Sequence, residues 1–344
     1  MIKVAVIGST GYAGAMLVSL LSTHKEVSLT YLASHSYVGE RFSDIYPSFR
    51  GVVDDVLQED DIKKASKVAD VIFLSLPAGI ASACVDEDIL SRSRIIDLGA
   101  DFRLNDVNEY TAWYKKEHMH PSLLKEAVYG LCELNRDKIK NSRLIANPGC
   151  YTTCSILSLY PLVKEGLIDT SSIIIDAKSG VSGAGRGEKI TSLFCECNES
   201  IKPYGAVNHR HTPEIEQELS KAAGEKIIVQ FTPHLVPMDR GILISAYARL
   251  KKGVSEDVVA LAYDKYYKDE YFIRLSQTLP ETRFVKGSNS VDISYRIDKR
   301  SGNILVFGAL DNLVKGAAGQ AVQNMNILFS LDEKCGLKKG ADLP

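Results

Sequence analysis

Short apolar runs alternate with segments of helical periodicity over the first 150 residues. Four such runs are 2–7, 27–32, 71–76 and 95–98, and residues 12–22 between the first two have the spacing of a helix. A further run at 144–146 ends in the turn cluster Asn147, Pro148 and Gly149, after which 151–163 again resembles an apolar helix. Continuous apolar strands joined by helices are typical of a buried parallel sheet with crossover connections.

The pattern of apolar and polar residues changes from about Ser171 onward. Longer strand-like runs follow one another with few helices between them, at 173–177, 227–231, 242–250, 291–297 and 304–310. This pattern predicts an α+β domain with a largely antiparallel sheet. The turn cluster that follows the run at 144–146 places the domain boundary after Asn147. Residues 312–329 carry apolar side chains at helical spacing and are predicted to form one long helix after the last strand.

Composition and charge exclude several classes of function. The chain of 344 residues has 41 basic and 43 acidic side chains and a net charge of -2, so no basic field attracts nucleic acid or an anionic membrane. The apolar stretch 68–85 is interrupted by Asp70 and Pro77 and predicts no membrane span. The odd count of 7 cysteines and the absence of a signal-peptide pattern predict reduced thiols and a cytoplasmic protein.

A glycine-rich turn directly after the first predicted strand is the first candidate site. Small residues here let a pyrophosphate approach the backbone amides of the following helix. Thr10 stands at the position of the second glycine of the usual dinucleotide motif. The predicted cofactor contacts are Gly8, Ser9, Thr10, Gly11, Tyr12, Ala13 and Gly14.

The end of the second predicted strand bears on the choice of cofactor. An NAD enzyme places a carboxylate there for the ribose 2'-hydroxyl, but Ser34, His35 and Ser36 occupy this segment, and Arg41 follows. Neutral and cationic donors suit a 2'-phosphate, so the sequence favours NADP over NAD. The alternative is an ordinary solvated loop.

Cys150 lies at the predicted junction of a strand and an apolar helix. A helix N-terminus favours the thiolate, and its backbone amides stabilise an oxyanion, so Cys150 is a candidate nucleophile rather than one more buried cysteine. His209 or His211, just before a helix that Thr212 is predicted to cap, is the candidate acid/base. Their spacing from Cys195 and Cys197 does not fit a zinc site, and no metal is predicted; the alternative is a structural role for both histidines.

Two further loops are candidate ligand sites. Residues 179–187 contain too many glycines for a regular element, which indicates either close approach to a ligand or a plain flexible loop. Residues 99–103 end a predicted strand of the parallel sheet, the side on which ligands bind. Arg103 there is either an anion clamp or the partner of Asp101 or Asp106 in an ion pair.

Together these motifs resemble the N-acetyl-gamma-glutamyl-phosphate reductase family, within the wider semialdehyde dehydrogenases, essentially from end to end. The resemblance rests on residues 8–14, 101–104, 129–131, 133–136, 147–151, 179–186, 209–215 and 311–317. Cys132 and Thr152 stand where the family is expected to have proline, which affects local loop shape rather than a reacting group.

The resemblance implies an α/β fold with two domains. These are an NADP-binding Rossmann-type domain at 1–147 with 313–344, and a catalytic and oligomerisation α+β domain at 148–312. It further implies a small-molecule acyl phosphate as substrate, inorganic phosphate as product, and a homo-oligomer, expected to be a tetramer. By the same resemblance Cys150 is the nucleophile and His209 the acid/base, with His211 second. The remaining implied contacts are Ser182, Gly183 and Asn312 for the cofactor, and Arg103, Asn147, His211, Glu214 and Arg240 for the substrate.

Three other functions are compatible with the same motifs. An aspartate-semialdehyde dehydrogenase has the same fold and thiol chemistry but another substrate pocket. A reductase for a carrier-linked or aminoadipyl phosphate uses similar motifs. A dinucleotide-binding sensor without catalysis is the alternative outside enzymes, although the presence of Cys150 and His209 argues against it.

Overall fold

The computed structural model describes residues 1–342 and divides into two compact units. Unit 1 comprises Met1–Pro148 and Ala317–Leu337, and unit 2 comprises Gly149–Gly316 together with the tail that starts at Lys338. The tail was expected in the first domain. It lies in unit 2 because the Asn289 amide donates to the carbonyl of Lys338 at 2.8 Å, and the Asp342 amide donates to that of Lys286 at 2.8 Å.

Unit 1 is built on a six-stranded sheet of order β2-β1-β3-β4-β6-β5, and its pairings are all parallel. Its strands are β1 (Ile2–Ile7), β2 (Val27–Leu32), β3 (Val71–Leu74), β4 (Arg94–Asp97), β5 (Val128–Tyr129) and β6 (Leu144–Ala146). The strand order reverses between β1 and β3, the position at which open parallel sheets bind ligands. The predicted parallel sheet is confirmed.

Helices cover the sheet of unit 1. They are α1 (Tyr12–Ser22), α2 (Phe42–Ile45), α3 (Ile62–Ala65), α4 (Ala81–Cys84), α5 (Glu87–Arg92), α6 (Val107–Tyr114) and α7 (Cys132–Lys140). Two apolar cores, which contain Val4 and Val6 on one face and Ala5 and Ile7 on the other, show that β1 is buried on both sides. This double burial explains the unbroken apolar run in the sequence.

Unit 2 contains a seven-stranded sheet of order β11-β12-β13-β10-β7-β9-β8. Its strands are β7 (Ile174–Ser179), β8 (Lys202–Pro203), β9 (Gln230–Leu235), β10 (Ile242–Arg249), β11 (Ile273–Leu275), β12 (Val291–Asp298) and β13 (Asn303–Leu310), and its helices are α8 (Cys150–Lys164), α9 (Phe194–Cys197), α10 (Thr212–Ala223) and α11 (Glu256–Tyr267). The sheet is mixed, because β7 and β9, like β11 and β12, pair in parallel. The strand predicted at 227–231 begins only at Gln230, where β9 pairs with Ile174 at the start of β7.

The helix predicted over 312–329 is interrupted. A π-helical turn at Val314–Ala318 precedes α12 (Gly319–Leu328). Within unit 1, Gln320 and Asn324 of α12 donate side-chain hydrogen bonds to the carbonyl of Gly130, both at 2.8 Å. Across residues 1–342, no helix combines the length and apolar character that crossing a membrane requires.

Candidate functional site

The glycine-rich turn of unit 1 is shaped by close backbone packing. Gly8 has a φ of +75°, which favours glycine, and a Cβ on Gly14 would lie 2.9 Å from Cα of Ser9. Helix α1 starts with Gly11 at its N-cap, and no side chain caps it. The amides of its first turn therefore suit an anionic group such as a pyrophosphate. On this geometry the predicted loop fits a dinucleotide.

The turn is tied to the end of β2. The Ser9 amide and hydroxyl both donate to the carbonyl of Ala33, each at 2.8 Å, and the hydroxyls of Thr10 and Ser34 are 2.7 Å apart. Ser34 is 1% exposed, so its hydroxyl stabilises the glycine-rich turn through its hydrogen bond with Thr10. His35 and Ser36, in contrast, are exposed.

Asp60 is a carboxylate at this edge that sequence reasoning missed. Gln58 forms a parallel bridge with Ala33, which places the residues after Gln58 beside those after Ala33. Burial raises the pKa of Asp60, although the Gly8 amide and His35 lower it. Its Oδ1 is buried and has no hydrogen-bond partner among residues 1–342. A carboxylate thus lies near the glycine turn, but it comes from a segment other than the end of β2.

Arg103 lies with two aspartates at the carboxyl end of β4. Its Nε donates to the carbonyl of Asn147 and its Nη2 to that of Leu98, both at 2.8 Å, so part of the guanidinium joins the ends of β4 and β6. The Asp101 carboxylate accepts from the amides of Gly79 and Ser82. Burial, and then the charge of Asp101, raise the pKa of Asp97 to about 7.

The side chain of Asn147 is also used inside unit 1. Its Nδ2 donates to the carbonyl of Ala317 at 3.1 Å, and its Oδ1 accepts from Asn324 at 3.1 Å. Asn147 is 1% exposed. These bonds fasten the end of β6 to the segment that leads into α12.

In unit 2, Cys150 is the first residue of α8, with Gly149 at the N-cap, and its side chain is half-buried. The Gly149 amide donates to Oε1 of Glu214 at 3.0 Å and is therefore not available to an oxyanion. Gly316 lies against the nucleophile: a Cβ added there would be 2.7 Å from Cβ of Cys150.

His209 and His211 lie in an aromatic cluster near the start of α8. The His209 ring centroid is 5.6 Å from that of Tyr151, 5.4 Å from that of Tyr204 and 4.9 Å from that of His211. The negative charge of a Cys150 thiolate contributes to the raised pKa values of both tyrosines, so the cluster and the thiol are neighbours.

The protonation of His209 follows from its surroundings. Burial, and then the charge of Arg210, lower the pKa of His209 to about 4, so the ring is neutral at pH 7. Its Nδ1 accepts from the His211 amide at 3.1 Å, which leaves the proton on Nε2. Helix α10 begins with His211 at the N-cap. The predicted cap by Thr212 is wrong, because within residues 1–342 its buried hydroxyl oxygen has no partner.

Three loops of unit 2 bring the other predicted ligand residues together. The Ser182 amide donates to the carbonyl of Asp239 at 3.1 Å, and Nδ2 of Asn312 donates to the Ser182 hydroxyl at 2.9 Å. A Cβ on Gly183 would lie 3.8 Å from the same Nδ2. Arg240 forms an ion pair with buried Asp311 at 2.7 Å.

Asp311 itself was missed as an organising residue. It accepts hydrogen bonds from the amides of Gly287, Leu313 and Val314 and from Nε of Arg240. Its position next to Asn312 in the sequence was an available signal. Asp60, in contrast, had no local signal, because the strand bridge that places it joins distant segments.

Comparison with protein families gives two matches. The family model described as the semialdehyde dehydrogenase NAD binding domain matches residues 3–142, and the one described as the semialdehyde dehydrogenase dimerisation domain matches residues 150–312.

Solved structures share the fold at low sequence identity. Aspartate semialdehyde dehydrogenase II from Vibrio cholerae has a TM-score of 0.72 at 18% identity, over 96% of this chain and 99% of that one. Aspartate semialdehyde dehydrogenase with NADP from Candida albicans has a TM-score of 0.68 at 18% identity, over 96% of this chain and 98% of that one.

Sequence relatives are much closer. The N-acetyl-gamma-glutamyl-phosphate reductase of Lachnoclostridium phytofermentans is 56% identical over 340 residues, 98% of each chain. The enzyme of that name from Campylobacter jejuni is 54% identical over 344 residues, 99% of each chain. Identity at this level over the full length leaves one assignment: the chain belongs to the N-acetyl-gamma-glutamyl-phosphate reductase family of semialdehyde dehydrogenases.

Proposed function

We propose that this chain catalyses NADPH-dependent reduction of N-acetyl-gamma-glutamyl phosphate to N-acetylglutamate 5-semialdehyde, a step of arginine biosynthesis. The observation that carries the proposal is the half-buried Cys150 thiol at the first position of α8. The names of relatives more than half identical to the chain support this substrate.

In the proposed reaction Cys150 acts first. The partial positive charge at the N-terminus of α8 favours the thiolate. The thiolate attacks the acyl carbon, the C–O bond to the phosphoryl group breaks, and a thioester and inorganic phosphate result. Arg240, held by Asp311, is the cation proposed to assist the departing phosphate.

His209 is proposed to serve the oxygen of the thioester. Because Nδ1 is occupied by the His211 amide, the neutral ring presents its proton at Nε2. As charge develops on the carbonyl oxygen, that N–H donates a hydrogen bond to it. Once a hydride has added to the carbonyl carbon, the oxyanion re-forms the C=O bond, the C–S bond breaks, and the aldehyde and the Cys150 thiolate are released. His211, whose ring centroid is 4.9 Å from that of His209, is the second candidate for proton transfer.

The cofactor is proposed to be NADP, whose reduced form NADPH would supply the hydride when bound. The uncapped first turn of α1 and the small residues 8–14 would hold its pyrophosphate. Exposed His35, Ser36 and Arg41 are the proposed partners of the 2'-phosphate. Asp60 is proposed to weaken the binding of the 2'-phosphate, because a carboxylate beside this segment disfavours a second anion.

The remaining assignments are also proposals. Ser182, Gly183 and Asn312 form one cluster in unit 2 and are proposed to contact the cofactor. Arg103 and Asn147 are proposed to shape the substrate site through the strand ends that they join. A match to a dimerisation domain supports a homo-oligomer, proposed to be a tetramer. Use of a reduced thiol supports a cytoplasmic location.

The test is phosphate-dependent reduction of NADP by the purified protein, with N-acetylglutamate semialdehyde and aspartate semialdehyde compared side by side. We expect preference for the acetylated substrate. Preference for aspartate semialdehyde would retain the thiol chemistry but refute the substrate. Carrier-linked substrates in the same assay test whether the chain is instead a reductase for a carrier-linked acyl phosphate.

Two cysteine variants test the mechanism. Cys150→Ser should lower turnover by at least about a thousandfold while NADPH binding, followed by its fluorescence, is retained. Cys154→Ala changes a fully buried thiol one turn along α8 and should leave turnover within a few-fold of the native enzyme. Turnover that survives Cys150→Ser would refute the thioester route.

A further inference from the structure

Glu214 makes its hydrogen bonds inside the protein, at the start of the helix that carries Cys150. It lies in the first turn of α10 and is 1% exposed. Its Oε1 accepts from the Gly149 amide at 3.0 Å and lies 2.8 Å from Oγ1 of Thr152. Both partners belong to the first turn of α8, on either side of the nucleophile.

The direction of the Thr152 hydrogen bond follows from counting donors. A hydroxyl has one proton, yet Oγ1 of Thr152 lies 2.6 Å from the Gly149 carbonyl and 2.8 Å from the Glu214 carboxylate. The Gly149 carbonyl already accepts from the amide and the hydroxyl of Thr153, at 2.9 and 3.1 Å. Two donors satisfy a carbonyl oxygen, so the Thr152 proton goes to Glu214.

The arrangement resembles a capping box assembled from two helices. In a capping box, a Glu at the third helical position accepts the N-cap amide of its own helix. Here Thr152 occupies that third position, and Glu214 of α10 supplies the carboxylate instead. The N-cap, Gly149, has no side chain with which to fix the turn itself.

We propose that Glu214 and Thr152 are a positioning pair that fixes the first turn of α8 and thereby the Cys150 thiol, instead of binding substrate. This inference rests on the proposed role of Cys150 as nucleophile. A buried carboxylate that accepts two hydrogen bonds from the first turn of α8 is suited to hold that turn. It also places a carboxylate beside the residues that flank Cys150, and a negative charge there opposes the thiolate.

The thiol titrates among several other groups. Tyr151 and Cys154 on α8 and Tyr204 from the segment before α10 interact electrostatically with Cys150. Glu214 is the carboxylate that contacts the N-cap amide. Replacing Glu214 alone therefore removes one charge without altering the neighbouring thiol and phenol groups.

The test uses four variants. Glu214→Gln keeps an amide oxygen in the place of Oε1, which accepts from both the Gly149 amide and the Thr152 hydroxyl, and removes the negative charge. Thr152→Val removes the hydroxyl at nearly constant volume, and Thr152→Ser restores it. Ser155→Ala is the control within α8, because the buried Ser155 hydroxyl has no hydrogen-bond partner among residues 1–342.

Two readouts separate positioning from substrate binding. The first is the pH dependence of iodoacetamide alkylation of Cys150 in the substrate-free protein. Glu214→Gln should move its midpoint down by about one pH unit, since a negative charge near the thiol is lost. The second is steady-state kinetics. Thr152→Val should lower kcat by roughly fivefold or more, with KM for the acyl phosphate nearly unchanged. Thr152→Ser should restore kcat, and Ser155→Ala should resemble the native enzyme.

The opposite pattern would overturn the proposal. An unshifted alkylation midpoint with a raised KM in Glu214→Gln would make Glu214 a substrate ligand. Equal losses in Ser155→Ala and Thr152→Val would reduce the effect to packing of the helix. Alkylation needs no substrate, so a protein without the proposed reductase activity would still report the midpoint shift.

Discussion

Replacing Gly316 by alanine should displace the nucleophile without touching a reacting group. Gly316 lies in the π-helical turn Val314–Ala318, with its amide bonded to the carbonyl of Asp311 at 2.9 Å. Its φ is not in the left-handed region, so alanine is compatible with the backbone. The added Cβ, however, would lie 2.7 Å from Cβ of Cys150 and 3.1 Å from its Cα.

The size of the displacement follows from these distances. Ordinary van der Waals contact begins at 3.4 Å, so the two carbons must separate by about 0.7 Å. The neighbour is the start of a helix rather than the tip of a flexible chain, and it has little freedom to yield. Misplacement by about 1 Å can cost on the order of a hundredfold in rate, so we expect kcat to fall roughly ten- to hundredfold. Overpacking should also lower the free energy of unfolding by about 1–3 kcal/mol.

The assay is steady-state reduction of NADP with N-acetylglutamate semialdehyde and phosphate, together with urea unfolding to show that the variant is folded. Gly340→Ala is the control, because a Cβ there meets nothing within 4 Å. NADPH binding should be unchanged in both variants. A folded Gly316→Ala enzyme with native kcat would refute the inference that this contact sets the position of Cys150.

Two further results are expected. Asp60→Asn should raise the ratio of NADPH to NADH affinity, measured by nucleotide fluorescence, by roughly tenfold as a like charge is removed. Asp61→Asn, a change of the neighbouring N-cap of α3, should leave that ratio unchanged, and equal shifts would reveal only a long-range charge effect. Since burial lowers the pKa of His209 from 6.5 to about 4, the unfolded chain gains its proton first as pH falls. The free energy of unfolding should therefore drop between pH 6.5 and 4, by up to about 3 kcal/mol, in urea titrations, and His209→Asn should lose that part of the slope.

Local chemistry alone made several features predictable. The apolar run of β1 followed by Gly8 and Gly11 predicts a strand, a tight turn and a helix, and the structure has each at that place. Cys150 at the start of α8 was predictable for a similar reason, because the turn residues before it end one element and the apolar run after it begins another. Such signals lie within a few residues of the feature that they specify.

Other features were decided by tertiary structure. The helix expected over 312–329 is broken by a π-helical turn, which helical spacing of apolar residues does not reveal. Asp60 reaches the glycine turn only because Gln58 bridges Ala33, so a search confined to the end of β2 could not find it.

The same holds for Glu214. Its motif marks a candidate site, but the choice between binding a substrate and holding a helix depends on what lies within 3 Å of its carboxylate. Those neighbours are Gly149 and Thr152, 65 and 62 residues away in the chain. Sequence determines the elements and the residue types that each one carries, because these depend on neighbours along the chain. The partners of a buried polar group depend on how the elements pack, and only the folded structure specifies them.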